Sequence, residues 1–235
     1  MRVRVGTSGW SYNEWKGSFY PEDISSAAML RFYASRLGAV EVNNTFYRLP
    51  RQEVLQGWAR DVPDDFTFAL KASQQITHHA KLGPEAADPL AHLLSVAEVM
   101  GAKLGPLLFQ TPPWLKKDVA RLRDFLKLLP MGRKAAFEFR NTSWFDEEVY
   151  EVLCERDAAL VAADTGEEGK DPPLLPTASW GYARLRRVGY EDGLLEDWAR
   201  RLTAPEWSDL YVFFKHEDEG TGPRLAARFL ELTGR

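Results

Sequence analysis

Eight short apolar runs recur along the chain, and each ends in a charged or strongly polar residue. In order the ends are Gly6-Thr7-Ser8, Glu41-Val42-Asn43, Leu70-Lys71, Phe109-Gln110, Glu138-Phe139-Arg140, Ala163-Asp164, Arg184-Leu185-Arg186 and Phe214-Lys215. Strand side chains alternate between two faces with a period of two. The pairs Val40 and Val42, Phe68 and Leu70, Phe137 and Phe139, and Val212 and Phe214 therefore share one face, and the polar ends share the other. Strands with polar ends on a common face, separated by helices, predict a closed barrel with one chemically loaded mouth.

The strands are expected near 2–8, 39–45, 66–71, 106–110, 135–140, 159–164, 182–187 and 209–215. Helical patterns fill most gaps. Ser25 and Ser26 precede a first helix that Gly38 closes, and the second holds Val54, Leu55 and Trp58. The third runs from Leu90 to Gly101. Asp118 and Asp146 are placed to cap the fourth and fifth. After the sixth strand the pattern fails: Glu167 to Ser179 is rich in Gly, Pro and charge and reads as a loop. A short helix over Leu194–Leu202 and a last one over Arg224–Leu232 complete the order.

Alternation of strands and helices implies a parallel sheet. Eight repeats in 235 residues suit a (β/α)₈ TIM-type barrel, a single domain over 1–235 with the helix after the sixth strand replaced by a loop. No Gly-x-Gly-x-x-Gly follows the first strand, so neither a Rossmann fold nor a dinucleotide cofactor is expected. The 45% of hydrophobic residues suffices for a large core. Basic and acidic residues number 30 and 34 and are well mixed, which argues against a surface built for nucleic acid or anionic membrane. The single cysteine, Cys154, excludes an intramolecular disulfide and a cysteine zinc site; helical spacing from Tyr150 suggests that it packs in the core. With no apolar signal core and no run near 18 apolar residues, a soluble cytoplasmic protein is expected.

The stretches GTSGWSYNEWKGSFYP, EVNNTFYRLP, FTFALKASQQITH, LGPLLFQTPP, AFEFRNTSW and YARLRRVG occur in that order across most of the chain. Together they resemble the YecE-like family, domain of unknown function 72. The resemblance implies a TIM-like barrel and candidate positions, without a reaction. The family's final strand usually leads through a short asparagine-containing segment into an alanine-rich helix; here the segment is FFKHEDEGTGPRLAARFLEL, with Lys215-His216 at the corner.

Active sites of TIM barrels sit at the C-terminal strand ends. The inward residues there are read as Ser8, Glu41, Asn43, Lys71, Gln110, Glu138, Arg140, Asp164, Arg184 and Lys215. Glu41, Glu138 and Asp164 face Lys71, Arg140, Arg184 and Lys215, so one positive charge is left over, or two if Arg186 reaches the mouth. One reading is a self-neutralising ion-pair network. Buried pairs gain little over apolar packing, which favours a site for a small anionic or polyol ligand instead. The arginines suit bidentate contact with carboxylate or phosphate.

Glu138 is the expected base or nucleophile and Glu41 the second acid/base, since opposed carboxylates are the equipment of glycoside hydrolysis. Lys71 is either a base or Schiff-base nucleophile activated by desolvation, or an electrostatic partner. His78, in QQITHH, is a rim candidate for proton transfer, whereas His79 reads as exposed. Asn43, Tyr47, Trp10 and Trp144 are candidates to bound the pocket, the tryptophans by stacking on a sugar or base or by forming a hydrophobic rim. The aromatic-rich loop 10–23 is either a wall of the site or a rim packed on itself.

These residues predict a metal-independent enzyme of hydrolase or lyase type. A second reading is a non-catalytic binder of phosphate, nucleotide or single-stranded nucleic acid using Arg140, Arg184, Arg186, Arg187 and Lys215. A third is a divalent-metal phosphoesterase or isomerase using Glu41, Glu138 and Asp164; the lack of histidines on the strands weighs against it.

Overall fold

In a computed structural model, which describes residues 1–167 and 171–234, all strands pair in parallel within one sheet. They are β1 (Arg2–Ser8), β2 (Ala39–Val42), β3 (Thr67–Lys71), β4 (Leu104–Gln110), β5 (Ala135–Glu138), β6 (Ala159–Leu160), β7 (Ala162–Asp164), β8 (Gly181–Leu185) and β9 (Asp209–Phe214). β6 and β7 are halves of one run broken at Val161, whose N–H donates to Phe137 O at 3.0 Å. β6 pairs with β5 and β7 with β8, so this eighth stave closes the ring. The expected (β/α)₈ TIM-type barrel is present. Between β7 and β8 no helix occurs among the described residues; 168–170 of the expected loop lie outside them.

The helices are α1 (Ser26–Ala34), α2 (Gln52–Asp61), α3 (Ala87–Ala97), α4 (Val119–Lys127), α5 (Glu147–Glu155), α6 (Asp192–Thr203) and α7 (Thr221–Leu232). The Asp118 and Asp146 carboxylates accept from Arg121 N at 3.0 Å and Glu148 N at 3.1 Å, acting as N-caps. Ser25 holds the cap position of α1 without a side-chain bond. α7 starts three residues before the expected Arg224, because Pro223 fits a first turn where no N–H partner is needed. On α5 the buried residues are Val149, Val152 and Leu153, spaced i, i+3, i+4. Cys154 falls beside that stripe and is exposed, correcting the expected core position.

Two apolar layers follow from strand alternation. Outward residues such as Val40, Phe68, Phe109, Phe137 and Val212 meet the helices. A separate cluster fills the barrel: Ala39, Ala69, Ala136 and Ala159 leave room that Trp180, Tyr182, Tyr211 and Phe213 occupy. Gly6 on β1 permits a close approach, since a Cβ there would lie 1.8 Å from Ala39 O and 2.8 Å from Tyr33 OH. Through that gap Tyr33 OH donates to Ala39 O at 2.9 Å and accepts from Thr7 N at 2.8 Å, tying α1 to β1.

The loop 10–23 packs largely on itself and on α1. Trp15 and Tyr20 are buried, Phe19 meets Phe32 edge-on, and Trp15 Nε1 donates to Glu217 O at 3.1 Å. No helix among the described residues is long and apolar enough to cross a membrane.

Candidate functional site

Strand register places the chemistry. Ser8 lies beside Glu41 and Gln110 beside Glu138, all at C-terminal ends of neighbouring strands. Arg184 on β8 reaches across to both carboxylates. Its Nε and Nη2 donate to Glu41 at 2.9 and 2.8 Å, and Nη1 donates to Glu138 Oε2 at 2.5 Å. The guanidinium fork suits such bidentate contact. Arg184 is 2% exposed, Glu138 2% and Glu41 0%.

Glu41 is saturated. Ser8 Oγ donates to Oε1 at 2.6 Å and Tyr182 OH to Oε2 at 2.7 Å, beside the two bonds from Arg184. Burial opposes its ionisation, but the Arg184 charge and these donors outweigh that and hold the carboxyl below its ordinary range. A buried carboxylate with four donors has no lone pair left for a substrate proton. The expected role of Glu41 as second acid/base is therefore corrected to that of an anchor for Arg184. Glu41 and Glu138 are bridged by one cation, unlike the two independent carboxyls that glycoside hydrolysis uses.

Glu138 differs. Gln110 Nε2 donates to Oε2 at 2.8 Å, while Oε1 is buried without a hydrogen-bond partner. Arg186 Nη2 and Arg140 Nε stand 3.4 and 3.5 Å from Oε1. Burial again opposes ionisation, and Arg184, Arg186 and Arg140 drive the carboxyl strongly down. Such a group is a fixed anion near neutral pH and a weak base.

Lys71 Nζ donates to Gln110 Oε1 at 2.9 Å and sits 4.2 Å above the Phe46 ring. Burial, then the Arg184 charge, lowers its pKa from 10.5 to about 8. His78 packs edge-on to Phe46, and its Nδ1 is 2.9 Å from Thr77 Oγ1. Burial, Lys71 and Arg140 push its pKa down, which favours the neutral ring.

Above this network opens a cavity of about 810 Å³, lined among others by Glu138, Arg140, Ala163, Arg186, Lys215 and His216. Glu138, Arg140 and Lys215 thus meet at the mouth. Ser8, Glu41, Gln110 and Arg184 form its buried support.

Other expected positions are corrected. Asp164 faces the helices: it accepts from Trp198 Nε1 at 2.9 Å, Tyr190 OH at 3.0 Å and Arg187 Nε at 3.1 Å. Ala163 takes the inward place. Asn43 leaves the mouth because β2 ends at Val42 and Asn43 turns into helical backbone. It lines a separate crevice of about 490 Å³ with Tyr12, Trp58 and Trp10, whose indole packs edge-on to Trp58. Trp144 is fully buried, stacked 4.5 Å from Phe139, and donates from Nε1 to Leu115 O; it offers no face to a ligand. Tyr47 is 73% exposed against Phe46, outside the mouth lining.

Tyr182, Thr165, His216, Glu217 and Asp218 were missing from the residues read as site-forming. Tyr182 was legible by parity, two residues before Arg184. Among the described residues, no group of three or more His, Cys, Asp or Glu is arranged to hold a metal ion.

A ring of parallel strands, wrapped by helices and carrying its ionisable residues at the C-terminal strand ends, defines a TIM-type barrel. The family described as "Protein of unknown function DUF72" matches residues 4–235, and the chain belongs to it. It is similar to the UPF0759 protein YunF of Bacillus subtilis, 26% identical over 270 aligned positions covering 98% of this chain and 94% of that protein. The UPF0759 protein YecE of Escherichia coli is 28% identical over 144 positions, covering 61% of this chain and 50% of its own. A crystal structure of a DUF72 family protein from Thermotoga maritima superposes with a TM-score of 0.85 at 25% identity, covering 100% of both chains.

Proposed function

We propose that the mouth binds a small anion and that Lys71 moves a proton on it, in an enzyme of lyase type. The carrying observation is an excess of cations around two buried carboxylates: Arg184 is buried, Lys71 and Arg186 are partly buried, and Arg140 reaches solvent. Lys71, Arg140, Arg184 and Arg186 surround only two carboxylates, Glu41 and Glu138. An anion on Arg140 and Arg186, with Lys215 at the rim, would offset that excess. Lys71, with a pKa near 8, is the group in the network poised to exchange a proton near neutrality; it stands against Gln110, behind the residues that line the cavity. Neutral Lys71 would take a proton from the carbon adjacent to the anionic group, the arginines would stabilise the charge left behind, and that electron pair would form a C=C bond as a hydroxyl on the next carbon leaves as water, taking the proton back from Lys71. Hydrolysis by paired carboxylates is disfavoured by the saturation of Glu41.

Glu167, Glu217 and Asp218 also line the cavity, so an extended polyanion such as nucleic acid would meet like charge there. The fully buried Trp144 removes one stacking platform that a nucleic-acid binder would use.

The test is exchange of carbon-bound protons in D2O, followed by NMR across a panel of small phosphates and hydroxy acids. Exchange is expected with the native protein and is lost in Lys71→Met, which still gains thermal stability from inorganic phosphate. Unchanged exchange in Lys71→Met would remove Lys71 from the reaction.

A further inference from the structure

We infer that the anion taken by this mouth carries hydroxyl groups, and that two of them donate to Glu138 Oε1 and His216 Nδ1. The inference rests on the anion-binding reading above and adds the part of the ligand that is not charged.

Buried polar atoms in folded proteins are nearly always hydrogen-bonded, so the exceptions are informative. Among the described residues the buried side-chain atoms without a hydrogen bond are Thr111 Oγ1, Glu138 Oε1, Arg186 Nε, Trp207 Nε1 and His216 Nδ1; Glu138 Oε1 has only the longer ion pairs to Arg186 and Arg140, at 3.4 and 3.5 Å. Glu138, Arg186 and His216 all line the one cavity at the mouth. Three such atoms around one cavity are what a site awaiting a ligand would show.

His216 is 9% exposed. Its Nε2 lies 2.8 Å from Arg187 O. A carbonyl oxygen only accepts, so Nε2 carries the hydrogen, and in the neutral ring Nδ1 holds the lone pair. Tyr190 packs edge-on at 5.8 Å and Phe214 lies 6.5 Å away, which fixes the ring. In that tautomer of the neutral ring His216 Nδ1 is an acceptor, as is Glu138 Oε1, whereas Arg186 Nε is a donor. A bare phosphate or acetate offers acceptors and satisfies only the arginine. A hydroxyl beside the anionic group supplies the missing donor to each acceptor. The ligand class is a small anion bearing at least two hydroxyls, as in a sugar phosphate or a polyhydroxy acid. The cavity volume of about 810 Å³ accommodates either.

The experiment compares two ligand pairs that share an anionic group: inorganic phosphate with ribose 5-phosphate, and acetate with gluconate. Thermal stability is followed against concentration at low ionic strength for the native chain, His216→Phe and Glu138→Gln. In at least one pair the hydroxylated member should act at a concentration at least tenfold lower, and His216→Phe and Glu138→Gln should each shrink that ratio several-fold. Equal response within both pairs, or an unaltered ratio in His216→Phe, overturns the inference and leaves the anion site standing. Stabilisation by none of the four anions overturns both. Long-range ¹⁵N–¹H correlation of the native imidazole needs no variant: a lone-pair Nδ1 shift that moves on adding the hydroxylated anion supports the inference, and a protonated Nδ1 at neutral pH refutes it.

Discussion

The two ends of the barrel use the same ingredients to opposite effect. At the N-terminal end Asp209 collects Arg4 at 2.8 Å, Arg2 at 3.1 Å and Lys134 at 2.7 Å. Arg4 also donates to Thr67 Oγ1 at 2.9 Å, and Lys134 lies over the Trp180 and Tyr211 rings. Cations exceed carboxylates there too. The excess at that end reaches water, since the Arg2 side chain is 74% exposed and that of Lys134 29%. No unpartnered buried atom among the described residues belongs to these four. At the C-terminal end Arg140 also reaches water, at 37% exposed, but the bridging Arg184 is 2% exposed and buried atoms without hydrogen bonds line the cavity. An ion cluster that closes on itself and drains to solvent braces a fold. The upper cluster differs in burying its bridging cation and in leaving side-chain atoms without hydrogen bonds.

The largest effect that separates the ends should come from Arg184→Met. It leaves Glu41 and Glu138 as buried carboxylates without their bridging cation, and breaking such a pair costs about 3–5 kcal/mol. Urea unfolding at neutral pH measures it, and a loss under about 1 kcal/mol would mean that the upper network contributes no bracing. Asp209→Asn should cost less, about 2 kcal/mol, because charge-assisted bonds are lost but the released cations can turn to water. Equal losses at the two ends would erase the distinction drawn from burial.

Much of this contrast is legible in the sequence, where alternation is unambiguous. Ala39 and Glu41, Ala136 and Glu138, and Arg184 could be set on the inner face because large apolar residues marked the outer one. Asp164 could not: Ala158 to Ala163 is apolar throughout, as expected of a strand covered on both faces, so neither face is marked. Asn43 followed the alternation on paper, but the strand ended one residue earlier. The saturation of Glu41 depends on counting donors from Ser8, Tyr182 and Arg184, on strands distant in sequence. His216 lies beyond β9, where the alternation no longer dictates direction, and its importance comes from one backbone carbonyl at Arg187.

A smaller effect sharpens the comparison through pH. Lys71 has a folded pKa near 8 against an ordinary 10.5. Between those values the unfolded chain binds more protons than the folded one, so stability should rise with pH across that window. Below pH 8 both forms carry the proton, and the penalty for burying it is constant. Lys71→Met should flatten the rise, as read from urea midpoints at pH 7.5, 9 and 10. A rise that persists unchanged in the variant would place the coupled group elsewhere, with the lysine fully protonated in the folded state.

The smallest effect belongs to the solvent-facing member of the lower cluster. Arg2→Gln removes one of three cations from Asp209, but the arginine is largely hydrated and its partner keeps Arg4 and Lys134. Exposed pairs contribute under about 1 kcal/mol and fade with salt. The change should therefore be small at low ionic strength and disappear near 0.5 M NaCl, since the Debye length falls to roughly 4 Å there. A salt-independent loss of 2 kcal/mol or more, on the order of a desolvated pair, would show that Arg2 is bound as firmly as Arg184. The lower end would then be a buried network like the upper one, and only the unpartnered atoms would distinguish the two.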